Sequence, residues 1–227
     1  MIFFKFKSWE NKIIFDGSHY IISIEEKQLF SDYLIRLSQQ YNGEDNEDYI
    51  LQKDFKDLSI ETDLEIISDL SSFQINSRKL ITLLFKKITN ATKNSDLPMK
   101  VEEINALMAP IIKEIASLID LPLQSNNDLE LDDFLKLYGV KLEEKYETLI
   151  EKIIHYIDSL FELKKINCIV LYLAYEYLTD SEINELYKHC EYLEITTIIF
   201  EGKYDKRNSS EKVLIIDKDN CEIRIAF

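Results

Sequence analysis

The chain has 227 residues, of which 46% are hydrophobic and 11% aromatic, so it can bury a substantial core in one large domain or in one domain with an inserted lobe. Its 42 acidic and 27 basic residues give a formal net charge of -15, and a surface of that charge normally repels nucleic acid and anionic lipid. The three cysteines form no CxxC pair, which argues against a disulfide framework, and the absence of a signal peptide or a membrane-length apolar run predicts a cytoplasmic protein.

The first part of the chain predicts short strands and one helix. The predicted strands cover residues 1–7, 12–16, 19–24 and 65–70, and the predicted helix covers residues 24–40. Residues 42–48 are predicted to form an acidic loop. Ser68 and Asp69 end the strand over 65–70, at a position where α/β sheets collect ligands.

A block of helices follows. The predicted helices cover residues 76–90, 101–119, 128–138 and 146–163. Asn76 or Ser77 is the expected N-cap of the first helix, Pro110 is a place where the second could be interrupted, and Gly139 stops the third.

The pattern changes again after residue 165. Apolar runs predict central strands over 167–173 and 195–200, with a helix over 180–190 between them and Thr179 as its N-cap. This β-α-β order implies parallel strands. A terminal hairpin is predicted from strands over 213–217 and 222–226. The predicted fold is therefore α/β, with a sheet domain from residues 1–73 and 165–227 and an inserted α-helical lobe over residues 74–164.

No motif for catalysis is present in the sequence. None of the four glycines fits the GxxxxGK[ST] pattern of a phosphate-binding P-loop, and the three histidines show no HExxH spacing. The triplets at residues 25–27 and 143–145 match the loose acid-x-Lys part of nuclease sites, but such triplets arise by chance in a chain with 30% charged residues. The sequence favours a protein that works by binding, and no enzyme activity is expected.

A basic segment stands out against the acidic composition. Residues 71–95 contain Arg78, Lys79, Lys86, Lys87 and Lys93 and no Asp or Glu. Lys79 and Lys86 are seven residues apart and share a helical face. The segment fits either contact with phosphates or a surface helix that pairs with acidic neighbours.

An acidic segment covers residues 128–133. Asp128 and Asp132 are four residues apart and Glu130 and Asp133 three apart, so each pair shares a helical face. A divalent cation such as Ca²⁺ would relieve this repulsion, although a solvated acidic face explains the spacing better because such pairs cost only tenths of a kcal/mol.

Several stretches resemble a known family. They are Phe134–Glu143, Phe161–Lys165, Asn167–Leu173, Tyr177–Asn184, Ile66–Leu70 and Ile75–Ser77. Together with the length and the order of elements, they resemble the Csn2 family, the accessory CRISPR-associated proteins of type II-A systems. The resemblance extends over nearly the whole chain and is weakest in residues 1–60 and 201–227.

The resemblance implies more than spacing does. It implies a sheet domain like that of P-loop NTPases but without the Walker motifs. It also implies a Ca²⁺-supported homotetrameric ring that binds ends of linear double-stranded DNA without sequence preference, and a role in CRISPR spacer acquisition beside other adaptation proteins. The alternatives are a metal-dependent nuclease, a degenerate NTPase and a protein-only adaptation scaffold.

The resemblance also points to candidate site residues. The carboxylates that could bind metal are Glu114, Asp120, Asp128, Glu130, Asp132, Asp133 and Glu143. The lysines that could contact DNA in the ring are Lys136, Lys141, Lys145 and Lys152. The basic segment adds Lys79, Lys86 and Lys87, which match no motif of the family.

Overall fold

A computed structural model describes residues 2–7, 9, 13–15, 19–44, 47–126, 128–204 and 211–225. The strands are β1 (Ile2–Phe6), β2 (Ile13–Phe15), β3 (Tyr20–Ile24), β4 (Tyr49–Lys53), β5 (Lys56–Leu58), β6 (Leu64–Ile67), β7 (Cys168–Tyr172), β8 (Thr196–Glu201), β9 (Lys212–Ile216) and β10 (Glu222–Ile225). The α-helices are α1 (Lys27–Tyr41), α2 (Ile60–Asp63), α3 (Arg78–Thr92), α4 (Leu97–Ser117), α5 (Leu131–Leu137), α6 (Leu149–Lys164) and α7 (Asp180–Tyr192).

A six-stranded sheet in the order β10-β9-β3-β8-β7-β6 forms the larger core. All neighbouring pairs in it are parallel except β9 with β10, which form the predicted antiparallel hairpin. Every residue of β3, β7 and β8 is buried, as expected for central strands covered on both faces. The prediction of parallel strands from the β-α-β order is thereby confirmed for β7 and β8.

A second, antiparallel sheet has the order β2-β1-β4-β5. The prediction that the N-terminal strands join the parallel sheet is therefore correct for β3 and wrong for β1 and β2. The reason is the partner strand β4, which the sequence pattern does not predict. Alternate residues of β1 and β4 bury rings that pack together, with Phe6 4.7 Å from Tyr49 and Phe4 5.3 Å from Tyr49 between ring centroids.

The hairpin between β4 and β5 turns without glycine. Asp54 and Phe55 both have positive φ, 49° and 65°, where most turns of this kind place Asn-Gly. Because the usual turn signal is absent, the sequence pattern does not predict this hairpin. Otherwise, each predicted strand and helix has a counterpart whose ends lie within four residues of the prediction. The predicted ends at residues 1, 12, 16 and 226 lie outside the described residues.

The helix boundaries follow capping chemistry. The hydroxyl groups of Ser77 and Thr179 accept hydrogen bonds from backbone N–H groups in the first turns of α3 and α7, as predicted. Gly139 has φ of 63° just after α5, which confirms the predicted stop. Helix α4 continues through Pro110 without interruption and begins earlier than predicted, with Pro98 in its first turn. In the described part of the chain, no helix is both long and apolar enough to cross a membrane.

By its internal contacts the chain divides into two units, one of residues 1–74 and 145–227 and one of residues 75–144. The sequence predicts α6 as part of the inserted lobe, whereas the structure places it in the sheet unit. The reason is its apolar face: Ile153, Ile157 and Leu160 are fully buried. The C-terminal end of α6 also forms an ion pair with β6, in which the Lys164 ammonium lies 2.8 Å from the Glu65 carboxylate.

Candidate functional site

The connection between β3 and α1 is a short turn from a parallel strand to a helix N-terminus, the kind of position at which α/β proteins can bind phosphate. Only Glu25 and Glu26 link the strand to the helix. The Glu26 carboxylate accepts a hydrogen bond from the Leu29 N–H at 2.5 Å, so the chain itself occupies the N-terminus of α1. A phosphate at that N-terminus would meet two carboxylates instead of free N–H groups. The local geometry therefore disfavours the degenerate NTPase considered from the sequence.

A cavity of about 340 Å³ opens beside this connection, at the carboxyl ends of β3, β7 and β8; we call it the carboxyl-edge cavity. Glu201, the last residue of β8, is 5% exposed and accepts a hydrogen bond from the Tyr175 N–H at 3.0 Å. Leu173 lines the cavity with φ of 54°, a left-handed conformation that turns the chain after β7 towards Tyr175. Sequence reasoning did not find this cavity, because its lining comes from three distant segments.

Asp69, which the sequence placed in a ligand-collecting position, has a local role. Its carboxylate accepts hydrogen bonds from the hydroxyl groups of Ser71 and Ser72 and from the Ser71 N–H. These bonds lower the pKa of Asp69 to about 2. The carboxylate is committed to the turn after β6, as Asp residues in such turns commonly are.

The histidines and cysteines show no arrangement for nucleophilic catalysis among the described residues. The His19 Nε2 lies 3.0 Å from Glu191 and its ring stacks on Tyr187, while burial lowers the pKa of His19. The His189 Nε2 lies 2.8 Å from Asp158. Burial raises the pKa of Cys190 to about 12, so its thiol is a core group rather than a nucleophile.

The acidic candidates are spread over unit 75–144 and serve several local roles. Glu130 caps α5, and Asp133 completes a capping box with it. The Glu130 N–H, with help from Lys136, lowers the pKa of Asp133. Asp132 accepts a hydrogen bond from the Thr89 hydroxyl of α3 at 2.5 Å. The exposed members of the set are Glu114, Asp120, Asp128, Glu130 and Glu143. Within the part of the chain that the structure describes, no three Asp, Glu, His or Cys side chains are grouped to hold a metal ion.

The lysine candidates differ in how freely their charges could meet DNA. The Lys152 ammonium donates to the Phe73 carbonyl at 2.5 Å and lies 4.2 Å from the centre of the Phe73 ring, so it is engaged within the sheet unit. Lys136 pairs with Asp133 at 3.2 Å, although its side chain is 63% exposed. The exposed lysines among the candidates are Lys79, Lys86, Lys136, Lys141 and Lys145.

Helix α4 carries a feature that sequence reasoning missed. Apolar residues of α4 and of its C-cap recur with alternating spacings of four and three, at Leu97, Val101, Ile104, Met108, Ile111, Ile115 and Leu118. None of the residues of α4 is buried, and Ile111 and Ile115 are each 48% exposed. We call this row the α4 seam. An alternating four-three spacing is the sequence signal of a helix that packs against another helix. The sequence alone was therefore enough to predict this feature.

Comparison with known proteins gives a family match. The family model described as CRISPR-associated protein (Cas_Csn2) matches residues 40–220. A CRISPR-associated protein Csn2 from Streptococcus agalactiae is 26% identical over 206 residues, which cover 88% of this chain and 87% of that protein. A CRISPR-associated protein Csn2 from Enterococcus faecalis is 24% identical over 188 residues, which cover 80% of this chain and 82% of that one.

Among solved structures, that of a bacterial Atm1-family ABC exporter with ATP bound is similar with a TM-score of 0.42 at 13% identity. The similarity covers 95% of this chain and 36% of the exporter chain. At that score it carries no argument about fold or function.

Proposed function

The chain belongs to the Csn2 family of CRISPR-associated proteins, and on that premise we propose that it binds the ends of linear double-stranded DNA without sequence preference, as a homotetrameric ring. Membership of the family implies a role in CRISPR adaptation. The family match over residues 40–220 is the observation that carries the proposal. The mechanism contains no catalytic step, and its partners are DNA ends, copies of the same chain and other CRISPR adaptation proteins.

The separation of charge along the chain supports DNA binding. The formal net charge is -15, yet α3 carries Arg78, Lys79, Lys86 and Lys87 and no carboxylate. Lysines that meet phosphates release the counterions condensed on DNA, and this release favours binding without any reading of bases. An acidic protein can therefore bind DNA where its basic residues are concentrated.

The α4 seam supports self-association. A soluble chain rarely leaves such a row of large apolar side chains in water, and exposed rows of this kind mark interaction surfaces. A second copy of the chain presents the same seam, so two copies can bury both seams in one helix pair.

Calcium is a separate part of the proposal. Among the described residues of one chain, no three Asp, Glu, His or Cys side chains are grouped to hold a metal ion. Ca²⁺ takes six to eight oxygen ligands, which include water and backbone carbonyls as well as carboxylates. We therefore assign it only a supporting role in assembly, with the acidic stretch around Asp132 and Asp133 as its proposed region.

Linear and closed circular duplexes of the same sequence distinguish ring threading from ordinary DNA binding. We expect a gel shift with the linear duplex and none with the circle at low salt, because a closed circle offers no end. Recovery of both DNAs at full length after incubation is also expected, since binding makes no product. Equal retention of both forms contradicts threading, and shortened DNA that disappears with Asp132→Ala favours the nuclease.

Chelation tests the calcium part. In light scattering we expect four times the 26.8 kDa chain mass with Ca²⁺ and a smaller mass after EDTA, because the acidic stretches again repel one another. Ile111→Glu in the α4 seam is the reference variant, because we expect it to reduce the mass of the assembly even when Ca²⁺ is present. It changes a side chain that is already half exposed, so the fold is retained. An unchanged mass and thermal midpoint after EDTA removes calcium from the proposal.

A further inference from the structure

The end of α5 exposes two large apolar side chains in succession. Leu137 is 74% exposed and Tyr138 is 81% exposed. Tyr138 is the C-cap residue of α5, and its N–H donates to the Phe134 carbonyl at 2.9 Å, so the helix fixes its backbone. A single exposed apolar side chain is ordinary on a protein surface. The surroundings of Tyr138 therefore decide whether it has a partner.

The segment that follows Tyr138 is held against the start of α3. The Asn76 side chain accepts a hydrogen bond from the Leu142 N–H at 2.9 Å and donates one to the Leu142 carbonyl at 3.0 Å. It also donates to the Glu144 carboxylate at 2.7 Å. Gly139, with φ of 63°, turns the chain between α5 and this contact. The segment over residues 138–142 is therefore anchored at one end by α5 and at the other by Asn76, which lies just before α3.

The surface around this contact carries more basic than acidic residues. Residues 76–79 and 136–144 contain Arg78, Lys79, Lys136 and Lys141 against Glu143 and Glu144. Arg78, two residues after Asn76, and Lys141, three residues after Tyr138, are both exposed. The formal charge of these two stretches is positive in a chain whose net charge is -15. An exposed ring among cations is the pattern of surfaces that bind nucleic acid, where the cations meet phosphates and the ring stacks on a base.

A second copy of the chain fits this surface poorly. Two copies joined through the same patch would bring Arg78 and Lys141 towards the identical cations of the other copy, and like charges opposed across an interface disfavour it. A DNA duplex carries the opposite charge along its backbone. Each end of the duplex also exposes the flat face of one base pair. Charge complementarity and the exposed ring therefore favour DNA as the partner.

We propose that Tyr138 stacks its ring on the base pair exposed at the end of duplex DNA, while Arg78 and Lys141 meet the neighbouring phosphates. This inference rests on the proposed binding of DNA ends and names the residue that recognises the end. Asn76 is a positioning residue, because it fixes the segment that carries Tyr138 beside the first turn of α3. Every base pair offers a face for stacking, so this recognition requires no particular sequence.

Short blunt duplexes with 2-aminopurine in the terminal or in an internal base pair test this on the full chain. We expect binding to change the fluorescence of the terminal probe and not that of the internal one. Tyr138→Ala should abolish this change and weaken binding about fivefold or more, because the stacking contact is lost. The salt dependence of its affinity should stay the same, because no phosphate contact is removed. Tyr138→Phe keeps the ring and should behave like the unchanged protein. Tyr192→Ala, which removes a ring that is 84% exposed at the end of α7, is the matched control and should have no effect.

Asn76→Ala tests the positioning role in the same assay. It should also reduce the signal of the terminal probe, because the segment over residues 138–142 loses its anchor at α3. The double variant with Tyr138→Ala should bind about as weakly as Tyr138→Ala alone, since both substitutions remove one contact. Fully additive losses would show that Asn76 does not act through Tyr138.

Each outcome decides the proposal. Loss of the terminal signal and of affinity in Tyr138→Ala, with Tyr192→Ala unaffected, upholds it. Equal effects of these two substitutions overturn it. A smaller mass of Tyr138→Ala in light scattering also overturns it, because Tyr138 then lies between copies of the chain rather than on DNA. If the unchanged protein binds no linear DNA, the proposed function fails and this inference fails with it. Linear DNA binding that Tyr138→Ala leaves intact removes this inference alone.

Discussion

A variant with Lys79, Lys86 and Lys87 all changed to glutamine is expected to bind linear duplex DNA about tenfold or more weakly than the unchanged protein. Each phosphate contact contributes about 0.9 to the slope of log affinity against log salt. Loss of three contacts should therefore make that slope shallower by roughly three. Filter binding over a series of salt concentrations measures both quantities.

The matched control removes three positive charges elsewhere. Lys56, Lys188 and Lys218 are exposed and lie outside every candidate set, so their change to glutamine alters the net charge equally. If both triple variants lose the same affinity, the effect is one of overall charge and the basic helix has no special role.

The same variant separates the two readings of the basic helix. One interpretation of the basic helix is that its lysines pair with acidic neighbours. The hydrogen bond from Thr89 to Asp132 agrees with this interpretation, because it brings the acidic stretch beside α3. Under that reading, the triple variant loses thermal stability and keeps its affinity for DNA. Under the proposed reading it loses affinity for DNA, and this loss is what separates the two readings, because removing surface ion pairs costs only up to about 1 kcal/mol each under either of them.

Features set by local chemistry were predictable from the sequence. Ser77 and Thr179 cap the helices they were expected to cap, and Gly139 adopts the positive φ that ends α5. The burial of β7 and β8 followed from their continuous apolar runs. These signals lie within a few residues of the structure they determine.

Features set by distant contacts were not predictable in the same way. The pairing of β1 with β4 depends on rings more than 40 residues apart, and the turn at Asp54 and Phe55 lacks its usual glycine. Residues at the ends of three strands line the carboxyl-edge cavity, so the sequence of no single segment predicts it. Asp132 and Asp133 are adjacent in sequence and take separate hydrogen-bond partners, which the spacing of the carboxylates does not predict.

A buried ion pair between α6 and β6 illustrates such a distant contact. The Lys164 ammonium lies 2.8 Å from Glu65 Oε2, with the two side chains 11% and 3% exposed. Tyr156 donates its hydroxyl to the other oxygen of Glu65 at 2.8 Å. Burial, followed by the charge of Glu65, raises the pKa of Tyr156, so the hydroxyl stays protonated as a donor. Lys164 and Tyr156 thus give the buried Glu65 carboxylate a cation and a hydrogen-bond donor.

Lys164→Met is therefore expected to lower the free energy of unfolding by about 3–5 kcal/mol, because it leaves the Glu65 charge buried without its cation. Urea denaturation measures the change, with Lys188→Met at an exposed site of α7 as a control that should stay within about 0.5 kcal/mol. Adding Glu65→Gln to Lys164→Met should restore part of the loss, since the orphaned charge is then gone and Gln can still accept from Tyr156. Strict additivity of the two substitutions would show that the residues do not interact, and the structure would then be wrong about this pair.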